Sequence, residues 1–550
     1  MRFSVRAMGG GVATLALLLS GCGALPGADP GDDPTSAGQS GNVVIGSCQP
    51  QNPLVPMTTN EVCGGNPLDA IFSKLVRYDP QTGAAVDEIA ESIESTDNQT
   101  WTITLKPGWT FHDGTPITAS SFVDAWNWGA HGENAGTSLN SYFYSVIEGY
   151  DEVQGELDAE DKYVPGSGAD SMTGLQVVDD TTFRVTLKQP EAGFRQRLGY
   201  IAYAPMPDAF FSMTPEEFGA NPIGSGPFEF VEMVQQERIV LDTYDGYQGE
   251  VRPKVSGIVF EIFSNQDAQY ASLLADQVDV MTQVPTSALA GETYKSDLGD
   301  RYIERETGVI HTMSFAPPEV DPAMADPRIR QAISMAIDRQ LIIDNIFQGS
   351  RQMATSWVSP VVDGYLDGQC GEYCTFDPDG ARALLAETGF DGELTIGFNA
   401  DGDHQTWVTA LCNNISNVLE IECTPVSEAL FADFRTKIVG RELTGMFRTG
   451  WQMDYPSIEN FLGPLYGTGA GANDSGYSNE QFDSLIAQAA AASTPEEAIS
   501  LYQQAESLLA EEMPAMPLWF NLTVAGYSTR VADVIITPFG TVDLLNISRS

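Results

Sequence analysis

Three observations predict an α/β fold for this chain. Short β-type runs alternate with helices of clear amphipathic period, above all in the second half. There the unit Leu394–Phe398, about Gln405 to Leu419, Ile421–Val426 reads strand–helix–strand, the signature of a crossover connection. The composition is also globular, with 42% hydrophobic and 10% aromatic residues.

Taken in order, Asn42 to Ser47 opens the ordered part as a strand carrying Val43, Val44 and Ile45. From Pro67 to Arg77 the residues Leu68, Ile71, Phe72 and Leu75 recur at helical spacing and predict a helix. Trp101 to Leu105 alternates as a strand, Ser121 to Gly129 reads as a helix, and Thr182 to Leu187 is a second strand behind the turn pair Asp179-Asp180. His112-Asp113-Gly114-Thr115-Pro116 reads as a turn. In Pro222-Ile223-Gly224-Ser225-Gly226-Pro227 the glycines are expected where φ is positive. Strands dominate from Gly226 to Ile262. Asp326-Pro327 then opens a helix expected to run from Arg328 to about Ile346, with proline where a first turn tolerates it. Further helices are expected over Pro378 to Thr388, ended by Gly389, over Asn479 to Ala491 and over Pro495 to Glu512.

Arg2 and Arg6 precede an apolar stretch from about Ala7 to Leu19 that is too short to span a bilayer, so residues 1–21 read as a secretory signal peptide. The tetrapeptide Leu19-Ser20-Gly21-Cys22 resembles the lipobox of bacterial lipoproteins. That resemblance implies cleavage before Cys22, acylation of its thiol and a protein tethered to the extracytoplasmic face of the cell membrane. Residues 22–41 then form the lipidated cysteine and a flexible linker, rich in Gly, Pro, Asp and Ser with no apolar period. The chain holds 75 acidic against 27 basic residues, a formal charge of −48. Such a surface repels polyanions, so no nucleic-acid partner is expected.

Beyond Cys22 the cysteines are Cys48, Cys63, Cys370, Cys374, Cys412 and Cys423, an even set in a compartment where disulfides persist. Six cysteines admit many pairings. Proximity along the chain favours Cys48 with Cys63, Cys370 with Cys374 and Cys412 with Cys423. A metal site is not expected, since there is no Cys-x-x-Cys pair and only His112, His131, His311 and His404, widely separated. No cofactor is expected either.

Six segments stand in a familiar order: Leu75-Val76-Arg77-Tyr78-Asp79-Pro80 with Thr82-Gly83; Lys106-Pro107-Gly108-Trp109 through Ala119; Asn221-Pro222 through Phe228; Arg330-Gln331-Ala332 with Ala336-Ile337-Asp338-Arg339; Phe376-Asp377-Pro378 with Gly389-Phe390; and Met513-Pro514-Ala515-Met516-Pro517-Leu518. Together they resemble the extracytoplasmic solute-binding proteins of family 5, the oligopeptide and dipeptide receptors of ABC importers. The resemblance implies a two-lobed periplasmic-binding-protein-like fold of type II, with an extra domain inserted in the first lobe. It places domain I at 42–83, 200–309 and 518–550, inserted domain II at 84–199, and domain III at 310–517. Peptide would bind between the lobes of a monomer and pass to ABC permease and ATPase subunits.

The segment Phe447-Arg448-Thr449-Gly450-Trp451-Gln452-Met453-Asp454-Tyr455-Pro456 is similar to the Gly-Trp-x-x-Asp segment of the peptide receptors, which gives Asp454 the role of binding the peptide's α-ammonium. The other reading is an Asp that orders a turn before Tyr-Pro. Trp451 would line side-chain space and Tyr455 would brace it. Arg448 would meet the peptide carboxylate, or else pair with a structural acid. Asn66, Tyr142 and Tyr144 are further ligand candidates. The alternatives are a receptor for another solute, such as an oligosaccharide, a metal complex, haem or an opine, and a surface hydrolase. No Gly-x-Ser-x-Gly elbow or His-Glu-x-x-His helix is present to support catalysis, and a non-enzyme is expected.

Overall fold

The computed structural model describes residues 41–550 apart from 159–161, 401–403, 430 and 493. The expected leader, Cys22 and nearly all of the linker lie outside the described residues. Among the described residues no helix is long and apolar enough to cross a membrane.

The frame is a mixed sheet of eleven strands. From one edge it runs Cys423–Glu428, Leu394–Asn399, Met446–Gln452, Tyr302–Phe315, Ala515–Tyr527, Val280–Met281, Asn42–Ser47, Gly257–Ile262, Arg238–Thr243 and Phe228–Val234, with Arg351–Met353 added beside Ala515–Tyr527. Leu394–Asn399 pairs in parallel with Cys423–Glu428 through the helix Gln405–Leu419, as its pattern predicts. The two longest strands, Tyr302–Phe315 and Ala515–Tyr527, are antiparallel to each other and run through both halves of the sheet. Their register slips between Glu306 and Ile310, leaving Thr307 to Val309 unpaired with Ala515–Tyr527, although Val309 still pairs with Gln452. A slip of this kind bends a strand locally.

Two main cores flank this sheet. One gathers residues from Val43 to Val280 with Tyr455, Ala525, Val531, Ile536 and Ile547, and the other gathers residues from Ile310 to Phe520. Each lobe therefore buries its own apolar set, the arrangement of a two-lobed type II fold. A separate antiparallel sheet, ordered Ala90–Glu94, Thr100–Leu105, Thr182–Thr186, Leu175–Asp179, carries the helix Ala119–Ala130.

Most expected elements form within a residue or two. Pro495–Glu512 is a helix capped by Thr494, whose side chain accepts from the Glu497 amide, and Pro378–Thr388 ends at Gly389 with φ +70°. Three expectations need correction. The first helix spans Val62–Ile71, not Pro67 to Arg77. It stops because the Ile71 carbonyl is taken by the amides of Ser225 and Gly226, and Val76–Tyr78 turns instead into a strand against Ala85–Asp87. The helix expected from Arg328 breaks into Pro327–Met335 and Arg339–Asn345. Asp338 caps the second piece, and buried Arg339 reaches back to the Ser334 and Pro517 carbonyls at 3.0 and 2.8 Å. Gly224 and Gly226 are required by close approach and not by positive φ: a Cβ on Gly224 would sit 2.0 Å from the Ile71 oxygen. The turn at His112 is present, with φ +83° at Gly114, and the imidazole also bonds the Gly224 amide and Gly226 carbonyl.

Candidate ligand-binding site

The site grows out of one strand end. Met446–Gln452 pairs antiparallel with Tyr302–Phe315, placing Gly450 opposite His311 and Arg448 opposite Met313. Where the strand stops, the Met453 amide donates to the Gly308 carbonyl at 2.8 Å, in the slipped stretch of the long strand. A tight turn follows, with the Ser457 amide bonding the Tyr455 carbonyl, and Ser457 caps the helix Ile458–Tyr466. Asp454 is thus held between a strand that has just ended and a helix about to begin.

Asn460, in the first turn of that helix and 1% exposed, organises the turn. Its Oδ1 accepts from the Asp454 amide at 2.9 Å and from the Trp451 indole at 3.0 Å, while its Nδ2 donates to Asp454 Oδ2 at 3.1 Å. Asp454 lines a cavity of about 340 Å³ together with Asn66, Asp69, Tyr78, Tyr200 and Phe539. Burial is the main reason its carboxyl is pushed up from 3.8 to about 7, with Glu459 adding to the rise and the Asn460 bond and Arg197 opposing it. Asp454 Oδ1 has no protein hydrogen bond among the described residues. A carboxylate that burial penalises, with one oxygen lacking a protein hydrogen bond among the described residues, favours a cationic ligand group.

Behind the turn lies a second charged cluster. Arg197 bonds Glu191 and, at 3.1 Å, Glu459, and its guanidinium lies 5.0 Å over the Tyr455 ring. The Tyr455 hydroxyl donates to Glu459 at 2.5 Å. Two carboxylates and one guanidinium, all nearly buried, join the segment before residue 200 to the segment that carries Asp454.

Residues 84–473 match the model of bacterial extracellular solute-binding proteins, family 5 Middle. The chain belongs to this family. It is similar to the dipeptide-binding protein of Escherichia coli, 26% identical over 87% of this chain and 89% of that one. It is also similar to heme-binding protein A of Haemophilus influenzae, 25% identical over 96% of each. Among solved structures, the murein tripeptide binding protein of Escherichia coli superimposes with a TM-score of 0.79 at 20% identity, covering 93% of this chain and 99% of that one. Family 5 proteins are the solute-binding components of ABC importers, so the fold and family expected from the sequence stand.

Within this family 5 chain the expected site residues separate into groups. Asp454 and Asn66 line the cavity. Trp451 is tied to Asp454 through Asn460 but does not itself line the cavity. Tyr142 does not line the cavity; 38% of its surface is open, and burial followed by the Asp454 charge pushes its hydroxyl well up. Tyr144 and Tyr455 do not line the cavity. Tyr144 is fully buried with its hydroxyl on the Ala202 carbonyl at 2.5 Å, and Tyr455 is 2% exposed against Arg197 and Glu459. Arg448 is not gathered with Asp454. It sits six residues back along the strand, donates to Asn399 Oδ1 at 2.7 Å, and lies over the rings of Phe431 and Phe434.

Sequence reasoning missed Tyr78, Tyr200, Asn460, Arg197 and Glu459. Tyr78 was within reach, since it belongs to one of the quoted segments; its hydroxyl bonds the Gln196 carbonyl at 2.6 Å and its ring stands 4.8 Å from Phe539. Tyr200 stacks on Phe143 at 4.1 Å. Nothing local in the sequence marks Arg197 or Asn460, whose roles depend on partners elsewhere in the fold.

The six expected cysteines stand at disulfide distance in the three favoured pairs. Cα separations are 5.2 Å for Cys48 and Cys63, 5.6 Å for Cys370 and Cys374, and 5.0 Å for Cys412 and Cys423.

Proposed function

We propose that this protein is a non-enzymatic receptor that captures peptides by their free α-ammonium on Asp454 and delivers them to an ABC permease. The observation that carries this reading is Asp454 itself, a cavity-lining carboxylate pushed up to about 7 whose Oδ1 has no protein hydrogen bond among the described residues. An ammonium there replaces the water lost on burial and returns the carboxylate to its charged form. Further support comes from the other end of the same strand, where Arg448 and Arg351 both press the buried His311 toward its neutral form, below burial in order of importance, to about 3. A ligand with an amine at one end and a carboxylate at the other suits this polarity. Arg448 lies on the strand Met446–Gln452, whose far end leads into the turn that carries Asp454. Relatives named for dipeptides and for a murein tripeptide favour the same class.

The reading extends to the rest of the chain. Acyl chains on Cys22 would hold the mature protein at the membrane while the acidic linker spaces the lobes from it. Oxidation of the three cysteine pairs fits that extracytoplasmic setting. The separate four-stranded sheet within 84–199 favours an inserted domain there, with 42–83, 200–309 and 518–550 forming the first lobe and 310–517 the second. The deciding experiment is mass spectrometry of the ligand that co-purifies with natively released protein. Peptides with unblocked N-termini are expected. Recovery of haem or sugars, with no peptide, would overturn the proposal.

A further inference from the structure

Asn460 makes three hydrogen bonds whose directions are fixed by chemistry. The Trp451 indole and the Asp454 backbone amide can only donate, so the oxygen between them, at 3.0 and 2.9 Å, must be Asn460 Oδ1. That leaves Nδ2 aimed at Asp454 Oδ2, 3.1 Å away, where it requires an acceptor. A proton on Oδ2 would face an N–H, so any proton that Asp454 holds is driven to Oδ1, the oxygen without a protein partner among the described residues. Asn460 is 1% exposed and sits in the first turn of a helix capped by Ser457, so its amide has no freedom to rotate away.

We infer that Asn460 is the positioning residue of the amine subsite: it locks Asp454 Oδ2 as an acceptor toward the protein, presents Oδ1 to the ligand, and ties Trp451 to the carboxylate through a shared oxygen. This rests on the proposed amine-binding role of Asp454, and it adds the residue that sets the orientation and charge on which that role depends. Other groups also act on Asp454. Arg197 lowers its affinity for protons and Glu459 raises it, while Tyr78, Tyr200 and Asp69 line the same cavity, and the Asp454 charge helps to keep the hydroxyls of Tyr78, Tyr142 and Tyr200 protonated. Among these only Asn460 touches both the Asp454 carboxylate and the Trp451 ring.

The test needs no ligand. In the protein labelled with ¹⁵N-tryptophan, the Trp451 indole resonance is identified by its loss in Trp451→Phe and followed against pH. In wild type it should titrate with a midpoint near 7, reporting Asp454 through the shared oxygen. Asp454→Asn should abolish that titration. Asn460→Asp keeps an oxygen for both donors but sets two carboxylates against each other, which must then share a proton. Its midpoint should move up by a unit or more. A wild-type indole resonance that ignores pH, or a midpoint unchanged in Asn460→Asp, would overturn the inference. Should Asn460→Asp fail to fold, wild type against Asp454→Asn still decides. Because no peptide is present, a failure here is distinct from a failure of amine binding, which would show as indifference to peptide acetylation.

Discussion

The guanidinium of Arg197 lies 5.0 Å over the ring of Tyr455, the residue next to Asp454, and bonds Glu459 at 3.1 Å. The turn that carries Asp454 is therefore braced by a residue nearly 260 positions earlier in the chain. Removing the guanidinium leaves Glu191 and Glu459 buried without their counter-charge. Arg197→Met should cost about 3–5 kcal/mol in urea denaturation, and adding Glu459→Gln should recover part of it. A loss under about 1 kcal/mol, the worth of an exposed pair, would show that the cluster is solvated.

Asp454→Ala should weaken binding of free-amine peptides by about 2–5 kcal/mol, the cost of leaving a buried charge unpaired. Acetylating the peptide should damage wild type to a similar extent and the variant little further, because both changes remove the same contact. Calorimetry on the four combinations checks this. Simple addition of the two penalties would make Asp454 structural.

The raised carboxyl also predicts a stability profile for the ligand-free protein. Folded Asp454 holds its proton to about pH 7 and the unfolded residue only to about 3.8, so the folded state binds the extra proton between those values. Stability gained from this group is present below about pH 4 and is lost as pH rises through 7. Asp454→Asn should accordingly be more stable than wild type at pH 8, by about 2–4 kcal/mol at 1.4 kcal/mol per pH unit and some allowance for partial exposure. The gap should close as pH falls to 4. Urea midpoints at both pH values measure it.

Cys412 lies on the helix Gln405–Leu419 and Cys423 opens the strand after it, with Cα atoms 5.0 Å apart. Peptide mapping without reductant should recover the two linked. Replacing both by Ala should cost about 2–3 kcal/mol, the loop entropy released by so short a closure. Free thiols at both positions would refute the link.

Cys22→Ser should release the protein from membranes, and intact mass of the wild-type mature protein should show acyl chains at Cys22. A Cys22→Ser protein that has lost its signal peptide yet stays membrane-bound in high salt would rule the tether out.

Legibility in the sequence followed locality. Pro495–Glu512 was readable because Thr494, Pro495 and the apolar period all speak within a few residues. The long strands Tyr302–Phe315 and Ala515–Tyr527 were not, since each mixes half-exposed and buried stretches and its pairing partner lies some 200 residues away. The first helix misplaced its end because Ser225 and Gly226, not its own sequence, claim the Ile71 carbonyl. In the site, Asp454 was legible through Gly450-Trp451 ahead of it. Tyr455 and Tyr144 look like ligand aromatics in sequence but spend their hydroxyls on Glu459 and Ala202. Asn460 follows six residues behind Asp454, where only the turn between them reveals that they touch.

The bond from the Met453 amide to the Gly308 carbonyl gives the slipped stretch of the long strand a second meaning. A Cβ at position 308 would lie 2.3 Å from the Met453 sulfur, so the Met453 side chain packs onto the bare Gly308 backbone. Asp454 is the next residue along, so its position is set by the long strand as much as by its own turn. A residue with a side chain at position 308 would have to part the two segments, and the carboxyl would move with them.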